Sequence, residues 1–191
     1  MYETLWEELN YKVSCKANTC SDGCRASSLG RSLQDYKKED FMKRTIVFFS
    51  RTGISKTIAL EIGSKLKSSV VELKDSMKWS GFLGFMRGGF YASTDKAVDI
   101  TFDETCLDSD EFILLSPLWA GGPAPAARAF IRRVGDKKVR LILTNDGSRI
   151  ENAVKKINLM FPSIRQTYGI TRNLHNKDQV INDLLSELSS S

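Results

Sequence analysis

The chain has 191 residues, of which 41% are hydrophobic, enough to form the core of one domain with or without an appendage. Its formal net charge of +5 is spread along the sequence, which favours anionic ligands but, without a recognised nucleic-acid motif, predicts no nucleic-acid partner. No apolar run approaches the roughly 18 residues of a membrane span, and the start of the chain is acidic rather than typical of a secretion signal. We therefore expect a cytoplasmic protein with no membrane span.

Residues 1–41 differ in composition from the rest of the chain, because they are polar and show no strand pattern. One short helical stretch is predicted there, over residues 3–11. We predict a poorly structured arm followed by a domain over residues 42–191. Met42 stands at this boundary and is, beside Met1, a candidate for the natural start.

The arm contains three of the four cysteines, namely Cys15, Cys20 and Cys24. A structural zinc site uses four ligands in closely spaced pairs, and an iron–sulfur cluster is held by four cysteines. No histidine lies near these thiols, and Cys106 is far away in the sequence. We interpret the three cysteines as free thiols of a reducing compartment, with no metal site, and keep a metal or redox role as the alternative.

After the arm, apolar runs of strand type alternate with helical patterns that carry apolar residues on one face. This alternation predicts a parallel sheet covered by helices on both faces, a three-layer doubly wound α/β fold. A capping box formed by Ser148 and Glu151 is expected to open the third helix. The predicted strands are residues 45–49, 70–73, 112–116, 139–144 and 164–170, and the predicted helices are residues 53–66, 125–134, 148–160 and 177–188.

The turn after the first strand concentrates hydroxyl groups around one glycine, in the residues Ser50, Thr52, Gly53, Ser55 and Thr57. Where a buried strand ends and a helix begins, free backbone N–H groups and the positive end of the helix dipole can hold a phosphate. The core of an ATP-binding P-loop and the glycines of a dinucleotide fingerprint are both missing. The turn therefore predicts a phosphomonoester site, and an ordinary hydroxyl-capped helix is the alternative.

Two further loops follow the third and fourth strands, at the edge where doubly wound sheets bind ligands. Residues 117–125 combine Trp119 with glycines and prolines, which predicts a rigid loop whose exposed ring can stack on a flat heterocycle. Burial of Trp119 against the next helix is the alternative. Residues 144–147 predict a polar loop or a simple turn. We expect the three loops to converge.

Three segments, in the order residues 48–53, 80–85 and 116–121, resemble the flavodoxin-like family, particularly its branch with a Ser-Arg-Thr-Gly-Asn-Thr turn. The resemblance covers residues 44–188. It implies a five-stranded parallel sheet in the order 2-1-3-4-5 and a non-covalently bound FMN.

By position, the resemblance implies that the first turn surrounds the FMN phosphate, that the second loop lines the isoalloxazine with Trp119 as a stacking or flanking ring, and that the third loop forms the remaining wall. Ile54 stands where the family's turn has asparagine, which predicts weakened FMN binding. The implied cofactor-binding residues are Ser50, Arg51, Thr52, Gly53, Ile54, Ser55, Pro117, Leu118, Trp119, Ala120, Gly121, Thr144, Asn145, Asp146 and Gly147.

The connection over residues 77–110 is longer than a minimal crossover and rich in aromatic residues and glycine. Three interpretations stay open: a lid with Arg87 reaching an anionic substrate, a homodimer face, or a covering helix whose aromatics belong to the core. His175 is predicted to be a solvated loop residue.

The resemblance implies a protein that passes electrons or hydride from a reduced donor, either NAD(P)H or a ferredoxin-type protein, to a redox partner protein or a small acceptor such as a quinone. The basic charge departs from the acidic character typical of small electron-shuttling flavodoxins. No catalytic residue is predicted, because the sequence shows no paired carboxylates, Cys-His or Ser-His-Asp arrangement. A non-catalytic binding protein with a decayed FMN site is the alternative.

Overall fold

The computed structural model describes residues 42–76, 98–146 and 150–190. The predicted arm, the greater part of the 77–110 connection and Ser148 lie outside these residues, so the arm, the domain boundary and the three interpretations of the connection stay predictions. No helix within the described residues is long and apolar enough to cross a membrane.

Five strands run parallel through the centre of the fold: β1 (Arg44–Phe48), β2 (Ser69–Glu72), β5 (Glu111–Trp119), β7 (Lys138–Asn145) and β8 (Ile164–Thr171). Their spatial order is β2-β1-β5-β7-β8, which confirms the predicted order 2-1-3-4-5. Phe48 pairs with Leu115, and Leu115 pairs with Ile142. The central strands are therefore in register, and their carboxyl ends meet at one edge of the sheet.

Within the described residues, four helices pack against the sheet: α1 (Ile54–Leu66), α2 (Pro125–Val134), α3 (Glu151–Met160) and α4 (Lys177–Ser189). The predicted bounds of α2 are confirmed. Helix α3 begins at Glu151 with Ile150 in the N-cap position, later than the predicted start at Ser148. Glu151 is therefore the first helical residue rather than the third, and the predicted capping box of Ser148 and Glu151 is wrong for this helix.

Successive side chains of the strands point to opposite faces of the sheet and build two hydrophobic cores. On one face, Val47 and Leu114 pack with α2 and α3. On the other face, Ile46, Ile113 and Ile142 pack with α1 and α4. Strands that are buried on both faces need apolar residues at most positions, which is why the central strands appear in the sequence as nearly continuous apolar runs.

The structure also contains short elements that the sequence analysis did not predict. Strands β3 (Lys74–Asp75) and β4 (Ile100–Thr101) form an antiparallel pair, and β6 (Gly122–Pro123) pairs antiparallel with the end of β5. A 3-10 helix spans Glu104–Asp108, with the Asp103 side chain accepting the N–H of Thr105. Elements of two residues show no hydrophobic period, so the alternation that reveals longer strands is missing from them.

A buried ionic network joins the strands at the amino edge of the sheet. Glu111 is 1% exposed and accepts the Nε–H groups of Arg44 and Arg140 at 2.8 and 2.9 Å. Arg140 Nη1 also donates to Glu187 at 2.9 Å, and the Tyr168 hydroxyl donates to the same carboxylate oxygen at 2.7 Å. Burial, reinforced by this hydrogen bond to Glu187, raises the pKa of Tyr168. The network connects four strands, β1, β5, β7 and β8, with α4 at the edge opposite the predicted ligand site.

Candidate functional site

The β1–α1 turn presents an uncapped helix terminus at the carboxyl edge of the sheet. Gly53 occupies the N-cap position with φ of 89°, a left-handed conformation that glycine adopts without a steric penalty. Its N–H donates to Ser50 Oγ at 3.0 Å, and Thr57 Oγ1 donates to the Gly53 carbonyl at 3.2 Å. Among the described residues no side chain caps this helix, and its first turn contains no acidic residue. The alternative interpretation of a hydroxyl-capped helix is therefore wrong. The first N–H groups of α1 face the carboxyl edge of the sheet.

The β5–β6 hairpin forms a second wall of the same edge. Strand β5 turns into β6 through Ala120 and Gly121, whose φ angles are 45° and 76°. Two successive left-handed residues are typical of a type I′ hairpin turn, in which glycine is relaxed and alanine is strained. Ser116 Oγ accepts the Ala124 N–H at 2.9 Å, which fixes the returning chain at the start of α2.

Trp119 differs from its predicted position. The predicted rigid loop begins at Pro117, but β5 continues through Pro117 to Trp119, so only the following residues form the turn. The indole is half-buried rather than exposed, and its ring meets Phe49 edge-on, with centroids 5.9 Å apart. The Arg51 guanidinium carbon lies 5.9 Å from the indole centroid, within the range of a cation–π contact. Trp119 thus packs against the hydrophobic core that lies between the sheet and helices α2 and α3.

Hydrogen bonds tie the ends of α1, β7 and β8 together at this edge. Ser55 is 2% exposed, and its Oγ lies 3.1 Å from Thr144 Oγ1. Asn145, the last residue of β7, is buried, and its carbonyl accepts the N–H of Arg172 at 2.6 Å. The hydroxyl of Ser55 is therefore engaged inside the protein, which leaves its backbone N–H as the group that the turn presents.

A cleft of about 330 Å³ opens between these segments. Its volume falls within the range of roughly 300–1,000 Å³ that is typical of small-molecule sites. It combines an apolar wall from the hairpin with polar groups from the turn and from the end of β7. The lining residues are Thr52, Ile54, Pro117, Leu118, Ala120, Gly121, Thr144, Asn145, Asp146 and Arg172.

The structure brings together the greater part of the predicted cofactor-binding set. All three predicted loops contribute to the cleft, with Thr52 and Ile54 from the first, Pro117 to Gly121 except Trp119 from the second, and Thr144 to Asp146 from the third. The residues Ser50, Arg51, Gly53, Ser55 and Trp119 lie beside the described lining and are not part of it. Gly147 lies outside the described residues.

Sequence reasoning missed Arg172 as a cleft residue. It follows β8 directly, and the end of a fifth parallel strand necessarily lies at the same edge as the other strand ends. The predicted strand stopped at residue 170, and the loop after it was considered only for His175. His175 is exposed, as predicted for a solvated loop residue.

Comparison with known proteins gives structural matches. No protein-family model and no curated protein matches the sequence. A flavoprotein from Lactobacillus acidophilus, in a crystal structure with FMN, is 22% identical, covers 72% of this chain and 97% of its own, and has a TM-score of 0.58. A candidate flavoprotein from Bacteroides eggerthii is 16% identical, with coverage of 77% and 98% and a TM-score of 0.64. Another from Bacteroides uniformis is 18% identical, with coverage of 74% and 97% and a TM-score of 0.62.

These likenesses and the strand order agree. The chain has the flavodoxin-like fold. In this fold the strand order reverses between the first strand and the third, here β1 and β5, and ligands bind beyond the carboxyl ends at that reversal. The cleft takes residues from the β1–α1 turn and from the β5–β6 hairpin, so it occupies the ligand position of the flavodoxin-like fold.

Proposed function

We propose that this protein binds FMN in the cleft and uses it to transfer electrons or to reduce a small acceptor such as a quinone. The observation that carries the proposal is the composition of one cleft, in which Thr52 beside a helix terminus, the apolar hairpin wall and the polar residue Asn145 meet. One end suits a phosphate and the other a flat ring with a polar edge. The structural neighbour in complex with FMN supports the same ligand.

The phosphate end of the proposed site rests on the β1–α1 turn. Thr52 is exposed and lines the cleft, so its hydroxyl is accessible to donate to a phosphate oxygen. The positive end of the α1 dipole and the N–H groups of Ile54 and Ser55 add donors that need no side chain. Ile54 supplies no amide in place of asparagine, and we expect this turn to bind phosphate less tightly than one with that amide.

The ring end of the proposed site rests on the hairpin and the end of β7. Pro117, Leu118 and Ala120 provide apolar surface, and Gly121 lets the backbone approach a ligand closely because it carries no side chain. Asn145 lines the cleft as a polar residue that would border the polar edge of a flavin. Trp119 is not among the described lining residues, and its edge-on contact with Phe49 packs it against the core and supports the hairpin.

When bound, FMN supplies the transfer of electrons or hydride. The chain's own residues bind it, orient it and shield part of it from water. The buried bond between Ser55 and Thr144 holds the phosphate turn against β7, so the two ends of the site keep a fixed separation. NAD(P)H or a ferredoxin-type protein is the proposed donor, and a redox partner protein or a quinone is the proposed acceptor.

A non-catalytic binding protein on the same fold is the second candidate. Ile54 favours it, because an apolar side chain lines the cleft where the resembling turn has asparagine. The fold by itself does not fix the function. A purified protein that is colourless and stays colourless after incubation with FMN would support this candidate against the first.

Replacing Thr52 with leucine tests the phosphate end. The change removes a hydroxyl that donates to a charged group, a bond of about 1.5–3 kcal/mol, so we expect the Kd for FMN to rise about tenfold or more. Fluorescence titration of FMN measures the change. Thr101→Leu is the matched control, because Thr101 is also exposed but lies on β4 and is not among the described lining residues. Equal Kd values for the two variants would contradict the phosphate assignment.

A further inference from the structure

The cleft contains a cation at a position fixed by the backbone. Arg172 lines the cleft immediately after β8. Its N–H donates to the carbonyl of Asn145 at 2.6 Å, which joins the end of β8 to the end of β7. The base of the Arg172 side chain is thereby held beside the residues that would border a flavin ring, and the residue is exposed.

A second charge of opposite sign lies in the same cleft. Asp146 follows β7 directly and also lines the cleft. Among the lining residues that the structure describes, Arg172 and Asp146 are the two with ionisable side chains. Arg51 is a further cation at this edge; its guanidinium carbon lies 5.9 Å from the Trp119 ring centroid, and it is not among the described lining residues. The cleft thus contains one cation and one anion that can be altered independently.

We propose that Arg172 raises the reduction potential of FMN bound in this cleft, and that Asp146 lowers it. The inference rests on the proposed function. Reduction by two electrons with uptake of one proton adds one negative charge to the bound cofactor. The electrons come from the reduced donor in the working protein and from a chemical reductant or an electrode in the test. A fixed cation nearby stabilises the added charge, and a fixed anion destabilises it.

The two charges predict shifts of opposite sign. Because Arg172 is exposed, water and salt screen its charge, so its effect is modest. We expect Arg172→Gln to weaken the binding of reduced FMN relative to oxidised FMN by about three- to tenfold, a tenfold change being about 30 mV for a two-electron couple. Asp146→Asn is expected to shift the potential upward, and Arg172→Lys, which keeps the charge, to stay near the wild-type value.

The test is a spectroscopic redox titration of the FMN-loaded protein at low ionic strength. The matched control is Arg165→Gln, because Arg165 is an exposed arginine on β8, the strand that Arg172 follows, but lines a separate cleft with Glu111 and Lys138 at the amino edge. A lower potential in Arg172→Gln, a higher one in Asp146→Asn and no change in Arg165→Gln is the expected pattern. Unchanged potentials in both cleft variants overturn the proposal.

A second measurement separates potential tuning from phosphate binding. If Arg172 held the phosphate, Arg172→Gln would weaken oxidised and reduced FMN equally and leave riboflavin binding untouched, and that result overturns the proposal. If the wild-type protein binds no FMN, the proposed function itself fails and this inference fails with it. If the protein binds FMN but the reduction potential is the same in the wild type, Arg172→Gln and Asp146→Asn, the proposed function stands and this inference alone is overturned.

Discussion

A single buried hydroxyl pair connects the two ends of the candidate site. Ser55 lies in the first turn of α1, and Thr144 lies near the end of β7, yet their oxygens are 3.1 Å apart and both residues are buried. Because either hydroxyl would be left unpaired in the interior if the other were removed, the pair fixes the phosphate turn against the sheet. The Ser55 hydroxyl therefore acts on the site by positioning the β1–α1 turn and does not itself contact a ligand.

Replacing Ser55 with alanine should destabilise the protein by about 1–2 kcal/mol, because the Thr144 hydroxyl loses its buried partner. Thr144→Val should have a similar cost, and the double variant should cost less than the sum of the two. Urea denaturation of the four proteins measures this cycle. Additive effects would contradict the bond, since independent residues show no coupling energy.

At the scale of elements, the ionic network holds the amino edge while leaving the carboxyl edge to the cleft. Glu111 on β5 sits between arginines of β1 and β7, and Glu187 of α4 extends the network across the sheet. We expect Glu111→Gln to destabilise the protein by about 3–5 kcal/mol, because two partly buried guanidinium groups lose their shared counter-charge. Denaturation measures this cost.

Asp136→Asn is the control for the loss of Glu111, because Asp136 is an exposed carboxylate, and its change should stay within about 0.5 kcal/mol. FMN affinity should be unchanged by Glu111→Gln wherever the protein is folded, since the network lies at the edge opposite the cleft. Equal stabilities of the two variants would show that the network contributes nothing.

The same network predicts a dependence of stability on alkaline pH. Burial and the carboxylate of Glu187 raise the pKa of Tyr168, and Arg140 opposes this rise. The neutral phenol is therefore favoured in the folded state. Its stabilising effect is complete below the ordinary tyrosine pKa of about 10 and is lost as the pH rises toward the higher folded pKa. Free energies of unfolding measured from about pH 8 to pH 11 should decline, and Tyr168→Phe should decline less steeply. Identical slopes would contradict this assignment.

The central strands, which are buried on both faces, were among the elements that the sequence predicted well. The continuous apolar runs of β1, β5 and β7 and the one-sided apolar pattern of α2 mark buried elements, and the bounds of α2 are those predicted. The start of α3 was wrong because a Ser-x-x-Glu spacing specifies a cap only when the chain adopts the matching geometry. Strands β3, β4 and β6 are too short to show a period.

At the scale of the whole molecule, the site follows from topology more than from any one motif. The order 2-1-3-4-5 aligns the strand ends, so three loops that are distant in sequence border one cleft. The sequence predicted that convergence. It indicated burial of Trp119 only as the alternative and did not predict the contact of this ring with Phe49, and it missed the place of Arg172, which depends on how far β8 extends. Both depend on tertiary contacts that no local pattern encodes.

The central claim is that this cleft binds FMN through its phosphate and its ring together. Titration of the purified protein with FMN and with riboflavin, followed by flavin fluorescence and visible absorption, tests that claim most directly. We predict binding of FMN at about one per chain with a shifted absorption spectrum, and weaker binding of riboflavin, because riboflavin lacks the phosphate that the β1–α1 turn would hold. Absence of FMN binding, or equal affinity for the two flavins, would contradict the account.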